Sequence, residues 1–243
     1  MRTLDWETGD RDELGAFIRS HLVAGFWDYD ELLETTHEWI EDSGVLTAAE
    51  ATEVLDAQWQ RRLAEQATWP DTGDFGKLQD AFAALESEGI LARMCFSCCT
   101  TCATHDIDDE RSPNPDPDDW YRYREWAYTY FHEQDAMRLA DPEPTLYLGF
   151  SSFRAHPALP QELVEAAAAG DDAAQAEVVE RTETMVGERI VELAEQFGLS
   201  TSWSGSPSDR IEIHLSQWRK PLPQHMIPVA KSWNPFKRFS RGR

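Results

Sequence analysis

The sequence predicts an α+β protein: a mixed α/β sandwich of about five strands behind a helical N-terminal region. Three observations carry that expectation. Apolar residues recur at helical spacing through the first 70 residues. From residue 75 onward, amphipathic helices alternate with short strand-like runs, the pattern of a sheet with helices packed on it. A chain of 243 residues, 41% hydrophobic and 28% charged, is long enough to bury a sizeable core in one large domain or two small ones.

In the helical region, Leu14, Phe17, Ile18, His21 and Leu22 lie on one face at i, i+3, i+4 spacing, which makes His21 a core histidine. Leu32, Leu33, Thr36, Trp39 and Ile40 repeat the pattern, with Gly44 as the expected C-cap. Thr47 and Glu50 form a capping box, and Ala51, Leu55, Trp59 and Leu63 continue from it as a fourfold-spaced stripe. Pro70 disfavours helix at Trp69 and closes the region, giving an expected first unit of 1–72.

The second unit, 73–215, opens with a helix carrying Phe75, Leu78, Phe82 and Leu85, closed by Gly89. Residues 90–96 alternate as a strand, and a short helix is expected to follow in the cysteine-rich stretch. Three prolines make 111–119 a loop. Residues 127–132 alternate as a second strand, and 145–150 read as a central strand buried on both faces. Residues 160–198 are expected to be helical, with Val186, Ile190, Val191, Leu193, Ala194 and Phe197 inward. Short strands follow at 200–203 and 210–215. Residues 216–243 hold four prolines and no periodicity and read as a tail.

Net charge is −23, unevenly placed. No acidic residue follows Glu212, whereas seven basic ones do, leaving 15 basic against 45 acidic residues in 1–212, a net of −30. Such a body repels nucleic acid and anionic membrane. The tail adds aromatic residues to its basic ones and is expected to dock on the acidic body, its nearest partner. No apolar run approaches the roughly 20 residues of a transmembrane helix, and no apolar leader opens the chain, so a cytoplasmic location is expected.

All four cysteines, Cys95, Cys98, Cys99 and Cys102, fall within eight positions, and His105 follows. Two abutting C-x-x-C pairs in a reducing compartment point to metal, to redox chemistry or to burial, not to a disulfide framework. Three thiolates and an imidazole are an ordinary zinc set, and Cys98, Cys102 and His105 would share one stripe of a helix. A C-x-x-C at a helix N-terminus could instead activate a thiol for redox work, and small soft side chains at a strand–helix junction can simply be core. A second constellation, Phe131-His132-Glu133-Gln134-Asp135, reads first as a helix cap and second as a general base, with His132 and Asp135 as the candidates for catalysis.

Gln66-Ala-Thr-Trp-Pro70, Phe82-Ala-Ala-Leu-Glu86, Gly89-Ile-Leu-Ala-Arg93 and Cys98-Cys99-x-Thr101-Cys102 are similar to an uncharacterised bacterial family known only as a domain of unknown function. Phe131-His132-x-Gln134-Asp135, Gly198-Leu-x-x-x-Trp203 and Arg210-Ile211 resemble its later landmarks, so the likeness spans roughly residues 10–215. Ala103 stands where that family often has glycine, the segment 111–119 looks inserted, and the basic tail looks additional. The resemblance implies that the helical region belongs with the rest, and it singles out Cys98, Cys99, Cys102, His132 and Asp135 without supplying an activity.

Three functions remain open on these residues. The first is a non-enzymatic protein whose cysteine cluster binds structural or regulatory zinc. The second is a thiol redox enzyme or sensor. The third is an interaction protein with inert cysteines and a working basic tail, engaging a protein partner.

Overall fold

The computed structural model describes residues 6–43, 46–115 and 121–223. The N-terminal stripes form three helices, α1 (Trp6–Ala24), α2 (Tyr29–Ser43) and α3 (Ala48–Gln66). They close around Leu14, Ile18, Leu22, Leu32, Ile40, Ala51, Leu55 and Trp59, all buried. His21 is buried with them, its Nδ1 2.9 Å from the Phe17 carbonyl and its ring against Phe17 and Trp27. The Thr47–Glu50 capping box opens α3 as its spacing predicts. The expected cap at Gly44 lies outside the described residues.

The remaining elements follow the predicted order: α4 (Asp74–Ser87), β1 (Ile90–Arg93), α5 (Thr100–Asp106), β2 (Ala127–Tyr130), α6 (Glu133–Met137), β3 (Thr145–Ser152), α7 (Gln161–Ala168), α8 (Asp172–Gln196), β4 (Ser200–Ser202) and β5 (Ile211–His214). They build an α+β fold on one mixed sheet of order β1-β2-β3-β5-β4. Only β1 and β2 run parallel; the other pairs are antiparallel. The register sets Tyr130 opposite Gly149 and Tyr147 opposite Glu212.

One sheet face carries the main core. Ile90, Ala92, Ala127, Leu146, Leu148, Ile211 and Ile213 pack there with Leu78, Phe82 and Leu85 of α4 and Val186, Ile190 and Leu193 of α8. On the other face, α5 lays Ala103, and Ile107 just beyond it, over Leu91, Tyr128 and Tyr130. The part of that face formed by β3, β5 and β4 is half-wet: Tyr147 and Glu212 are intermediate and His214 is exposed. So β3 is central, as predicted, but it is dry on one side only.

Two expectations shift locally. Residues 160–198 form two helices, because Gly170 turns at φ +94° and Asp171 then caps α8 through the amides of Ala173 and Ala174. The strand expected over 90–96 stops at Arg93, because Cys95 (φ +51°) and Ser97 (φ +61°) take left-handed backbone.

Residues 216–222 cross back over the helical region. Asp74 accepts the amides of Ser216 and Gln217, each at 2.7 Å. Trp218 is buried beside Phe26 and Phe75, Arg219 pairs with Asp71, and Leu222 joins the helical core. Gly73, at φ +57°, permits the crossing: a Cβ there would sit 2.0 Å from the Gln217 carbonyl.

Candidate functional site

Among the described residues, the segment between β1 and α5 holds both non-glycine positions at positive φ, Cys95 and Ser97. A non-glycine residue in left-handed backbone costs roughly 1–2 kcal/mol, and this turn carries two, with Phe96 between them. Neighbouring backbone holds them in place. Phe96 donates its amide to Phe131, and Glu133 donates to the Ser97 carbonyl, which ties the turn to the end of β2 and the start of α6. Arg93 anchors its near side through ion pairs with Glu86 and Glu110.

The turn delivers Cys98 and Cys99 to the start of α5. Cys99 is the N-cap in extended backbone, and its carbonyl accepts the Ala103 amide at 2.9 Å to begin the helix. Thr100 therefore opens the helix, and Cys98 lies before it rather than on a stripe with Cys102 and His105. Burial of Ala103 and Ile107, four residues apart, fixes the helix face turned to the sheet, and Cys102 lies off that stripe.

The result is a thiol triad. The sulfurs of Cys98, Cys99 and Cys102 all lie within 4.8 Å of one another, with Cys98 exposed and the other two half-buried. No first-turn amide makes a hydrogen bond of normal geometry to Cys99 Sγ. The field of the Cys102 amide nevertheless holds the Cys99 thiol below its ordinary pKa, with the Cys102 and Cys98 thiols adding to it. Cys102 moves the other way, pushed up to about 11 by Cys98 and Cys99 beside it.

Cys95 and His105 fall outside this group. The positive φ of Cys95 turns its side chain inward against the main core. Burial pushes that thiol up to about 12, the nearby Glu133 carboxylate adds to the shift, and Lys220 opposes it. His105 is exposed on α5. One further polar group frames the triad: Ser97 Oγ donates to Asp106 Oδ2 at 3.3 Å, linking the residue before the triad to the end of α5.

His132 and Asp135 come together as a reciprocal cap on α6. His132 Nδ1 accepts the Asp135 amide at 3.2 Å, and Asp135 Oδ2 accepts the His132 amide at 3.4 Å. The proton of the neutral ring is then on Nε2. Burial lowers the His132 pKa; Asp135 opposes that shift and Arg210 reinforces it. Arg210 forks onto both Asp135 oxygens and also donates to the Tyr147 carbonyl. The spacing of His132 and Asp135 signals the cap, but nothing local in the sequence identifies Arg210, 75 positions away, as the counter-ion.

A cleft of about 200 Å³ opens between α5 and the loop before β5, lined by Thr100, Thr104, Tyr128, Tyr130, Ser208 and Arg210 among others, and not by the thiols. Among the described residues, no helix is long and apolar enough to cross a membrane.

A family model described as a domain of unknown function, DUF6891, matches residues 7–222, which takes in the helical region, the sheet and the returning segment through Leu222. No curated protein and no solved structure matches the chain.

Proposed function

We propose that this chain, which belongs to the DUF6891 family, holds a structural or regulatory zinc ion on Cys98, Cys99 and Cys102. The observation that carries the reading is the approach of the three sulfurs within 4.8 Å of one another. A tetrahedral zinc with bonds of about 2.3 Å to sulfur sets its thiolates about 3.8 Å apart, so the triad needs to contract only slightly. Soft thiolates select zinc or monovalent copper over magnesium and calcium, whose preferred ligands are oxygen.

The local architecture supports a structural benefit. α5 has seven residues and turns only Ala103 fully inward, well below the roughly 12–15 residues at which an isolated helix persists. An ion bridging the residue before the helix, its N-cap and its first turn would tie that helix to the strained turn ahead of it. Three protein ligands leave one coordination position for His105, for water or for a donor from a partner.

The test is metal content. The untagged chain, purified anaerobically, is analysed for metal by mass spectrometry, and its thiols are titrated with and without chelator. The reading expects about one zinc per chain, with three thiols protected until chelation and no uptake by Cys98→Ala or Cys102→Ala. A chain that carries no zinc and takes none up when reconstituted overturns it.

A further inference from the structure

We infer that a two-electron oxidant joins Cys99 to Cys102 as a disulfide and thereby expels the bound metal, making the triad an oxidation-controlled site. The inference rests on the zinc function proposed above, which supplies the ion to be released. What it adds is the identity of the reacting pair and the consequence of the reaction.

The pairing follows from the backbone. Cys99 is the N-cap of α5 and Cys102 its third residue, and the bond from the Ala103 amide to the Cys99 carbonyl fixes that turn. Residues three apart on a helix have Cα atoms about 5 Å apart, within the roughly 4.4–6.8 Å that a disulfide spans. Cys98 and Cys99 are adjacent, and the peptide between them fixes their Cα atoms about 3.8 Å apart, short of that span. Cys98 lies before the helix, so no helical turn sets its spacing to Cys102, and it is left as the free thiol. Cys95 is turned into the core and takes no part.

Hydrogen peroxide serves as the oxidant class. One thiolate of the pair attacks a peroxide oxygen; the O–O bond breaks, hydroxide leaves, and the sulfur becomes a sulfenic acid. The second thiolate attacks that sulfur, the S–O bond breaks, and a second hydroxide leaves. Both hydroxides take protons from solvent, so two thiolates surrender one electron pair and one peroxide becomes two waters. Disulfide sulfurs no longer act as thiolate ligands, and Cys98 alone does not retain zinc. Reduction by a dithiol restores the triad.

The experiment titrates the zinc-loaded full chain with hydrogen peroxide in the presence of a chromogenic zinc chelator. Free thiols are then blocked and disulfides mapped by peptide mass spectrometry. Expected are about one zinc released per peroxide consumed, a Cys99–Cys102 linkage, blocked thiols at Cys95 and Cys98, and recovery of zinc binding after dithiothreitol. The metal-free Cys98→Ala chain should form the same linkage and Cys102→Ala none. A zinc-binding chain that links other cysteines, or keeps its zinc after forming the linkage, overturns this inference alone. A chain that takes up no zinc overturns the metal function and the release step with it, whichever pair forms.

Discussion

Asp135 and Arg210 meet as a two-point ion pair, with the guanidinium spanning both carboxylate oxygens and lying over the Tyr147 ring. Asp135 is 3% exposed at its side chain and Arg210 33%, so the pair is buried from the carboxylate side and open from the other. It links the short helix that receives the strained turn to the start of β5, the neighbour of central β3.

Removing the guanidinium leaves a buried carboxylate without its counter-ion. Arg210→Ala should therefore cost about 3 kcal/mol of stability. Arg210→Lys should recover only part of that, because an ammonium cannot fork onto both oxygens. Equilibrium urea unfolding of the two variants checks this; equal stability of Arg210→Ala and the parent would refute it.

Cys95 should be separable from the other three thiols. Cys95→Ala leaves a small cavity in the main core and should cost about 1–2 kcal/mol while retaining a full complement of zinc. Metal analysis and thermal melts on one preparation read both quantities. Loss of zinc at wild-type stability would bring Cys95 back as a ligand.

The left-handed backbone at Ser97 predicts opposite effects for two substitutions. Ser97→Gly should hold stability or raise it by up to about 1 kcal/mol. Ser97→Val should lose at least that much, since a β-branched residue resists positive φ. Paired denaturation curves decide it, and a Val variant as stable as the Gly variant would mean the turn carries no strain.

Acid should loosen the returning segment. Burial alone would raise the Asp74 pKa, but Lys77 and the amides of Gln217 and Ser216 outweigh it and leave the group depressed. A depressed carboxylate contributes stability that is present above its unfolded pKa, near 4, and is lost as pH falls through the folded value. Asp74→Asn should lower stability at pH 7 and flatten its decline below about pH 4. The difference in tryptophan fluorescence between the parent and Trp218→Phe during acid titration follows the same event; an unchanged acid limb in Asp74→Asn would exclude this carboxylate as its source.

Most of the element order is legible in the sequence because each helix stripe and each alternating strand is a local pattern. The Thr47–Glu50 box and the His132–Asp135 cap are equally local, three residues apart. The boundary at Gly170 and Asp171 is written in turn and cap residues but sits inside an alanine-rich stretch that favours helix on both sides. The turn at Cys95 and Ser97 has no such mark, since neither residue is glycine and only contacts from β2 and α6 impose the conformation. That is why Cys95 and Cys98 look equivalent in sequence and separate in space. Arg210 and Asp135 meet only once the sheet has formed, and no spacing rule reaches that far.

The crossing of residues 216–222 also has a kinetic side. Gln66 accepts the Leu222 amide from 156 positions away, and Trp218 donates to the Ala24 carbonyl from 194 away. At about 5–20 residues per second, a ribosome takes roughly eight to thirty seconds to travel from Gln66 to Leu222. Over the later part of that interval α1, α2 and α3 are out of the tunnel while the side chains that complete their packing have yet to be made. The helical lobe is synthesised ahead of the sheet yet sealed only after it, and nascent chains stalled before Trp218 should expose it to protease.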